Sequence, residues 1–404
     1  MKMENQQAAD KMHVLYLPRW YPNRYDPMPG LFIERHGISV LPHADVSVLY
    51  VHSDDQLKDR KYDIVKSDED LYTIRIYFKK SGLGFKPLAN LVNAWRFYSS
   101  HRKGMKMIRK ARGNFDLIHV HVLTRLGIIA LWNKLKNGTP YVITEHWTRY
   151  LPTTDTYHGF MRKLMTKWVV RKASAVMPVT ANLRDAMIDN GLKNDNYVVI
   201  PNVVDVEMFR PGEWQRNGNK KRIVHLSCFA DIQKNISGIL RVLKRLSEKR
   251  DDFECVMIGD GVDFEMLKNY SDELGLTGKF VEFKGLKENE ELAGLMAEAD
   301  FMIMFSNHEN LPVVILESYA CGVPVISTRV GGIHEHMNDD LGRLTEPKNE
   351  EEFLETIEQT LDHPEQYSKQ KLRDYAVNHF SNEVIGKSLY GLYSDIVFNF
   401  KNEV

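Results

Sequence analysis

FSNHENLPVVILESYACGVPVISTRVGGIHE, residues 305–335, carries the reading of the whole chain. Just before it, residues 301–305 form an apolar run of the length of a buried parallel strand. Pro312 falls where a first helical turn tolerates proline, because the missing N–H would have no partner there. Val313, Leu316, Tyr319 and Ala320 follow at helical spacing, Gly322 ends the helix, and residues 323–327 give the next strand. Gly331-Gly332 close the unit, and two carboxylates stand out: Glu309 in the loop and Glu317 in the second helical turn.

This strand–loop–helix unit suits an anionic ligand rich in hydroxyls. A helix N-terminus offers unpaired N–H groups and the positive end of the dipole. A carboxylate beside it repels phosphate unless it faces another part of the ligand, and carboxylates accept the O–H donors of sugars and ribose. The unit therefore suggests phosphate on the amides and sugar hydroxyls on Glu309 and Glu317. The plainer reading is a capping carboxylate and a solvated helix glutamate. It suffices for Glu309 alone, whereas the ligand reading accounts for the whole unit together with Gly331-Gly332.

Working outward, 404 residues bound the chain to two or three domains. A hydrophobic content of 43% is enough for sizeable cores, and a formal net charge of zero gives no global attraction to nucleic acid. Cys228, Cys255 and Cys321 have no metal or redox spacing, which points to a reducing compartment. No apolar run reaches the ~18 residues of a membrane span. The polar opening, residues 1–11, lacks an apolar signal core, so the expectation is a cytoplasmic enzyme.

Strands are predicted at 13–17, 45–51, 71–78, 116–120, 141–144, 175–179 and 198–200, with helices at 31–41, 87–112, 126–135, 160–172 and 181–190. That alternation predicts an α/β doubly wound, mostly parallel sheet. Residues 201–221 are polar, aperiodic and punctuated by proline and glycine, as an interdomain linker is. The alternation restarts with strands at 223–227, 254–258, 280–284, 301–305, 323–327 and 341–344 and helices at 236–248, 264–274 and 290–299, and is helical beyond 350. Two such sheets put their strand ends on either side of a cleft. Neither a dinucleotide G-x-G-x-x-G nor a P-loop occurs, which removes support for dehydrogenase and P-loop readings.

Glu309 and Glu317 with seven residues between them, Ser306, Leu311-Pro312, residues 317–325 (ESYACGVPV) and Gly331-Gly332 together resemble the donor-site segment of retaining family-4 glycosyltransferases of the GT-B fold. The resemblance implies two Rossmann-like domains facing a central cleft. Residues 1–200 would bind the acceptor, 201–380 the nucleotide-sugar, and 381–404 would cross back to the first domain. It also implies that Glu317 binds the donor ribose and Glu309 the transferred sugar. Lys234 and amides of Gly331 and Gly332 would stabilise the leaving diphosphate, with Asn310 and Leu311 in the same donor loop. Gly30 would let backbone approach a phosphate, and His146 sits where the family has a cleft histidine near the reacting sugar. Asn235 is expected to cap the helix after Lys234. Where the family has an arginine five residues before the lysine, this chain has Phe229; Arg329, Arg210 and Arg19 are the candidate replacements. Asn310 stands where the family often has glycine, and asparagine tolerates a left-handed backbone. No metal or cofactor is expected, the partners being a nucleotide-diphosphate sugar and a glycan or lipid-linked acceptor of cell-surface polysaccharide or lipopolysaccharide synthesis.

His119 and His121 alternate on one strand face, an H-x-H hint of metal without a third ligand of telling spacing; a structural or substrate-contact role is preferred. Residues 79–112 carry ten basic and no acidic side chains, with Leu88, Leu91, Val92, Trp95 and Tyr98 at helical spacing. Residues 160–172 repeat the theme with Arg162, Lys163, Lys167, Arg171, Lys172 and Trp168. A helix lying on an anionic membrane at the inner cell face and a helix packing its stripe on a sheet both fit; nucleic acid fits less well, since no binding motif accompanies the charge. Alternatives on the same fold are a nucleotide-sugar epimerase, a pyridoxal-type phosphorylase, and a non-catalytic membrane-docked sugar-binding protein.

Overall fold

A computed structural model describes residues 11–57, 60–123, 125–154, 156–212 and 220–403. The polar opening at 1–10 and much of the expected linker, 213–219, lie outside the described residues.

The first half runs β1 (His13–Pro18), α1 (Leu31–Val40), β2 (Asp45–Asp54), β3 (Tyr62–Asp68), β4 (Tyr72–Lys79), α2 (Lys86–Arg112), β5 (Leu117–His121), α3 (Arg125–Asn137), β6 (Tyr141–Glu145), α4 (Phe160–Lys172), β7 (Ala175–Pro178) and α5 (Ala181–Asp189). Its sheet has the order β3-β4-β2-β1-β5-β6-β7. Every pairing is parallel except β3 with β4. The strands β1, β5, β6 and β7 are buried on both faces, which is why they are largely apolar runs rather than alternating ones.

The second half runs β8 (Lys221–Leu226), α6 (Asp231–Lys234), α7 (Ile236–Ser247), β9 (Phe253–Ile258), α8 (Phe264–Glu273), β10 (Val281–Gly285), α9 (Asn289–Ala297), β11 (Phe301–Met304), α10 (Val313–Ala320), β12 (Val325–Thr328), β13 (Gly342–Thr345), α11 (Glu350–Asp362), α12 (Lys369–Phe380) and α13 (Asn382–Glu403). Its all-parallel sheet is ordered β10-β9-β8-β11-β12-β13. Helix α13 packs on α1 of the first half so closely that a Cβ on Gly386 would lie 1.9 Å from the Ser39 carbonyl oxygen. The Tyr393 hydroxyl reaches His119 Nδ1 at 2.6 Å and the Tyr16 hydroxyl at 3.0 Å.

Several expectations need correction. Strand β3 was not expected from the sequence, because as an antiparallel edge strand none of its residues is fully buried and its pattern is weak. Residues 198–200 form no strand; they run beside β7, with Val198 N–H on the Val176 carbonyl and Ile200 N–H on that of Pro178, before Pro201 turns the chain away. The segment read as linker is packed in part, with Val203, Val204 and Phe209 fully buried. Val204 N–H bonds the Phe380 carbonyl, so the chain's two passages between the halves lie side by side. Pro312 is the residue preceding α10 rather than a member of its first turn. Asn235 precedes α7 in a left-handed conformation (φ 50°), and its side chain makes no capping bond.

Candidate active site

Strand order reverses between β1 and β5 in the first sheet and between β8 and β11 in the second. Loops leaving the carboxyl ends of such neighbours diverge and open a crevice. The expected residues sit on those loops: Gly30 closes the β1–α1 loop, His146 follows β6, Lys234 ends α6 just after β8, and Glu309, Asn310 and Leu311 occupy the β11–α10 loop. Glu317 lies on α10, and Gly331-Gly332 follow β12.

Two cavities meet at Glu309. One of about 490 Å³ lies between the halves and is lined by Trp20, Phe32, His146, Trp147, Gln233 and Asn310 as well as Glu309. The other, about 610 Å³, is lined mainly by the second half, with Ile232, Arg329, Gly331 and Lys348, and by Thr153 of the first.

Both glutamates are buried and each is held by a cation. Lys234 Nζ donates to Glu309 Oε1 at 2.6 Å, and Ser306 Oγ donates to the same oxygen at 2.8 Å. Burial is the largest influence on the Lys234 pKa and would lower it; the Glu309 charge, Cys228 and the Glu309 hydrogen bond together outweigh it and hold the ammonium above its ordinary value. Arg35, on α1 of the first half, donates to Glu317 Oε1 at 2.7 Å. Further bonds tie the halves together. Thr180 Oγ1 donates to Asn310 Oδ1, Asn310 Nδ2 donates to the His146 carbonyl, and Asn202 donates to the Leu311 carbonyl. Glu335 accepts from the Ala181 and Asn182 N–H groups at the start of α5, where the helix dipole favours a carboxylate.

The glycines are fixed by contact. Gly331 has φ 57° and its Cβ would meet the Glu309 carbonyl oxygen at 2.1 Å. A Cβ on Gly332 would strike the Thr180 side chain, and one on Gly30 (φ 82°) the Trp20 carbonyl. The Gly332 amide is bonded to the Asn310 carbonyl at 2.9 Å, so of the two expected donors only Gly331 is left for a ligand. The same bond draws the two loops together. Asn310 is not among the positive-φ residues; its side chain bridges the halves instead. Phe229 is fully buried in the second core. Of the suggested replacements for its missing charge, Arg329 borders the Glu309 cavity, Arg210 lines a separate cavity with Glu207 and Glu290, and Arg19 lies in the first half.

His36, His121 and His146 converge, each offering a nitrogen within 4.8 Å of the others, and they are the group among the described residues with the spacing to hold a metal ion. Burial keeps all three neutral, with the His36 pKa lowered to about 4 and the other two well below the ordinary value. His119 is separately satisfied by Tyr393 and Thr144. The third member, His36, escapes sequence reading because it comes from α1, far from the H-x-H strand. Arg35, Asn202 and Glu335 escaped for the same reason: isolated polar residues on helices and loops gain meaning only when the halves face each other.

Two family models cover most of the chain. Glycosyltransferase Family 4 matches residues 44–208 and Glycosyl transferases group 1 matches residues 210–378. An uncharacterized glycosyltransferase of Methanocaldococcus jannaschii is 25% identical over 282 residues, covering 70% of this chain and 73% of that protein. Among solved structures, sucrose-phosphate synthase of Thermosynechococcus elongatus superposes with a TM-score of 0.77 at 16% identity, covering 96% of this chain and all of that one. Anabaena HepE in complex with UDP superposes at 0.71 and 17% identity, covering 95% of this chain and all of that one. With both halves matched, the GT-B architecture shared and the paired glutamates in the cleft, the chain belongs to the family-4, group 1 type of glycosyltransferases.

Proposed function

We propose that this glycosyltransferase moves a hexosyl group from a nucleoside diphosphate sugar to a glycan or lipid-linked acceptor with retention of anomeric configuration. The observation that carries the reading is the pair of buried carboxylates, Glu309 and Glu317, each neutralised by a cation where strand order reverses. HepE, similar in fold, is known in complex with UDP, which supports a nucleoside diphosphate donor.

Glu317 takes the ribose hydroxyls, exchanging its Arg35 contact for them, and Glu309 takes hydroxyls of the transferred sugar. As the bond from the anomeric carbon to the diphosphate oxygen breaks, negative charge grows on the diphosphate. Lys234, the Gly331 amide and the first-turn amides of α10 face that charge and lower the barrier. The acceptor hydroxyl enters on the face the diphosphate leaves, which preserves configuration, with His146 beside the sugar. Residues 1–200 hold the acceptor and 201–380 the donor, and closure of the halves excludes water. Since fixed cations and helix ends supply the electrostatics, turnover needs no divalent metal and survives EDTA.

An anionic membrane face fits the basic first half. Phe85, Leu91, Trp95, Trp132 and Phe160 are each more than 60% exposed, so the apolar stripe of α2 is not packed on the sheet. Among the described residues no helix is long and apolar enough to cross a membrane. Binding therefore rests on side chains at the inner surface of the cell membrane, with each basic residue adding ~1 kcal/mol near anionic lipid.

A nucleotide-sugar panel screened by thermal stabilisation identifies the donor. NMR of the product formed with that donor then reads the anomeric configuration. An inverted product rejects the mechanism, and product formed without any acceptor points to an epimerase instead.

A further inference from the structure

Another cavity, of about 500 Å³, lies between α3 and α4 of the first half. Four arginines line it, Arg19, Arg125, Arg149 and Arg162, over an apolar floor that includes Leu123, Ile128 and Met165. Like charges gathered this way repel. Burial first, then Arg149 and Arg125, lower the Arg19 pKa; burial likewise leads for Arg149, with Arg162 opposing its charge as well. Among the described residues no salt bridge links any of the four to a carboxylate, although the chain is otherwise rich in such pairs. The nearby acid, Glu145, already accepts N–H bonds from Leu123, His146 and Trp147. The Arg149 Nε is buried without a partner. Arg19, Arg125 and Arg162 reach solvent, whereas the Arg149 Nε has no partner in the fold, so an anion in the cavity would both relieve the repulsion and satisfy that donor.

The cavity is one ring away from the reaction cleft. Trp147, which lines the cleft beside His146 and Glu309, has the Arg149 guanidinium 3.5 Å from its ring centre and that of Arg19 at 5.1 Å. On its other side the cavity shares Ile128 with a groove of about 630 Å³ between α2 and α3, lined by Trp95, Tyr98, Trp132, Arg102 and Lys106. The arginine cavity thus adjoins the cleft through Trp147 and the aromatic groove through Ile128.

We infer that the arginine cavity binds the phosphate or diphosphate of the acceptor, which carries its sugar into the cleft past Trp147 and lays an apolar chain into the α2–α3 groove. Guanidinium forks match phosphate oxygens bidentately, and several around one site select a doubly or triply charged group over a neutral one. The inference rests on the transferase reading and names its acceptor class: a sugar joined through phosphate to a long apolar chain.

The test uses the full-length protein and three probes below their micelle concentrations: decyl diphosphate, decyl glucoside and inorganic pyrophosphate. Calorimetry should show decyl diphosphate binding one per chain, at least tenfold tighter than decyl glucoside and tighter than pyrophosphate. Arg149→Met and Arg162→Met should each weaken it about tenfold, whereas Lys268→Met, on the exposed surface of the other half, should not. Arg162 is solvent-exposed, so its variant keeps the test open if Arg149→Met misfolds. Equal affinity for the diphosphate and the glucoside, or indifference to both arginines, overturns the site. Pyrophosphate binding as tightly as decyl diphosphate overturns the apolar-chain assignment. A nucleotide-sugar titration on the same preparations separates this failure from failure of the transferase reading, which predicts donor binding whatever the acceptor.

Discussion

Replacing Lys234 with methionine isolates the ion pair at the centre of the cleft. Its Nζ lies 2.6 Å from Glu309 Oε1, and the two side chains are only 11% and 6% exposed. The substitution keeps the length of the side chain but leaves a carboxylate in a nearly dry site, with the Ser306 hydroxyl as its remaining partner. Breaking a buried pair from one side costs ~3–5 kcal/mol. The Ser306 bond returns ~1 kcal/mol, leaving a loss of ~2–4 kcal/mol. In a half of this size each kcal/mol moves Tm by ~2–4 °C, so calorimetric melting of the ligand-free protein should fall by ~4–16 °C. The double variant Lys234→Met/Glu309→Leu removes both charges and should recover most of that loss while remaining inactive. A single variant that melts like wild type, or a double variant as unstable as the single one, would refute the reasoning, because the pair would then not be closed in solution.

Two other outcomes follow from the same geometry. His36 is fully buried and its pKa of about 4 lies below the ordinary ~6.5, so its neutral form contributes stability above pH ~6.5 that is lost as pH falls toward 4. That one group should account for ~3 kcal/mol of the loss by pH 4, and His36→Phe should flatten the acid limb of a urea-denaturation series. Gly331→Ala places a Cβ 2.1 Å from the Glu309 carbonyl in a left-handed turn, so the loop must shift; donor KM should rise at least tenfold while far-ultraviolet circular dichroism is unchanged, and an unaltered KM would mean that the loop does not touch donor.

The parts of the fold legible in the sequence were those with strong local signals. Buried parallel strands such as β1 and β11 announce themselves as short apolar runs, and α7 as an amphipathic stripe. The half-exposed edge strand β3 has no comparable pattern, and its pairing with β4 is decided by tertiary context. At the site, Glu309 and Glu317 lie in one strand–loop–helix unit, so their spacing brought them into view, whereas Lys234, at the end of α6, was found through the family resemblance. Arg35, Asn202 and Glu335 find their partners only across the two halves, which no local pattern shows. The four arginines of the first-half cavity come from separate loops and helices, and only the folding of that half gathers them. Asn310 illustrates the limit: its type suggested a left-handed backbone, whereas its role is a side-chain bridge to Thr180 and His146.

Donor binding to Glu317→Ala, titrated by calorimetry in protein shown to be folded, tests the central claim most directly. Charge-assisted bonds from a ribose to a carboxylate are worth ~1.5–3 kcal/mol, which predicts donor affinity lower by about 10- to 150-fold. An affinity equal to that of the wild-type protein would contradict it.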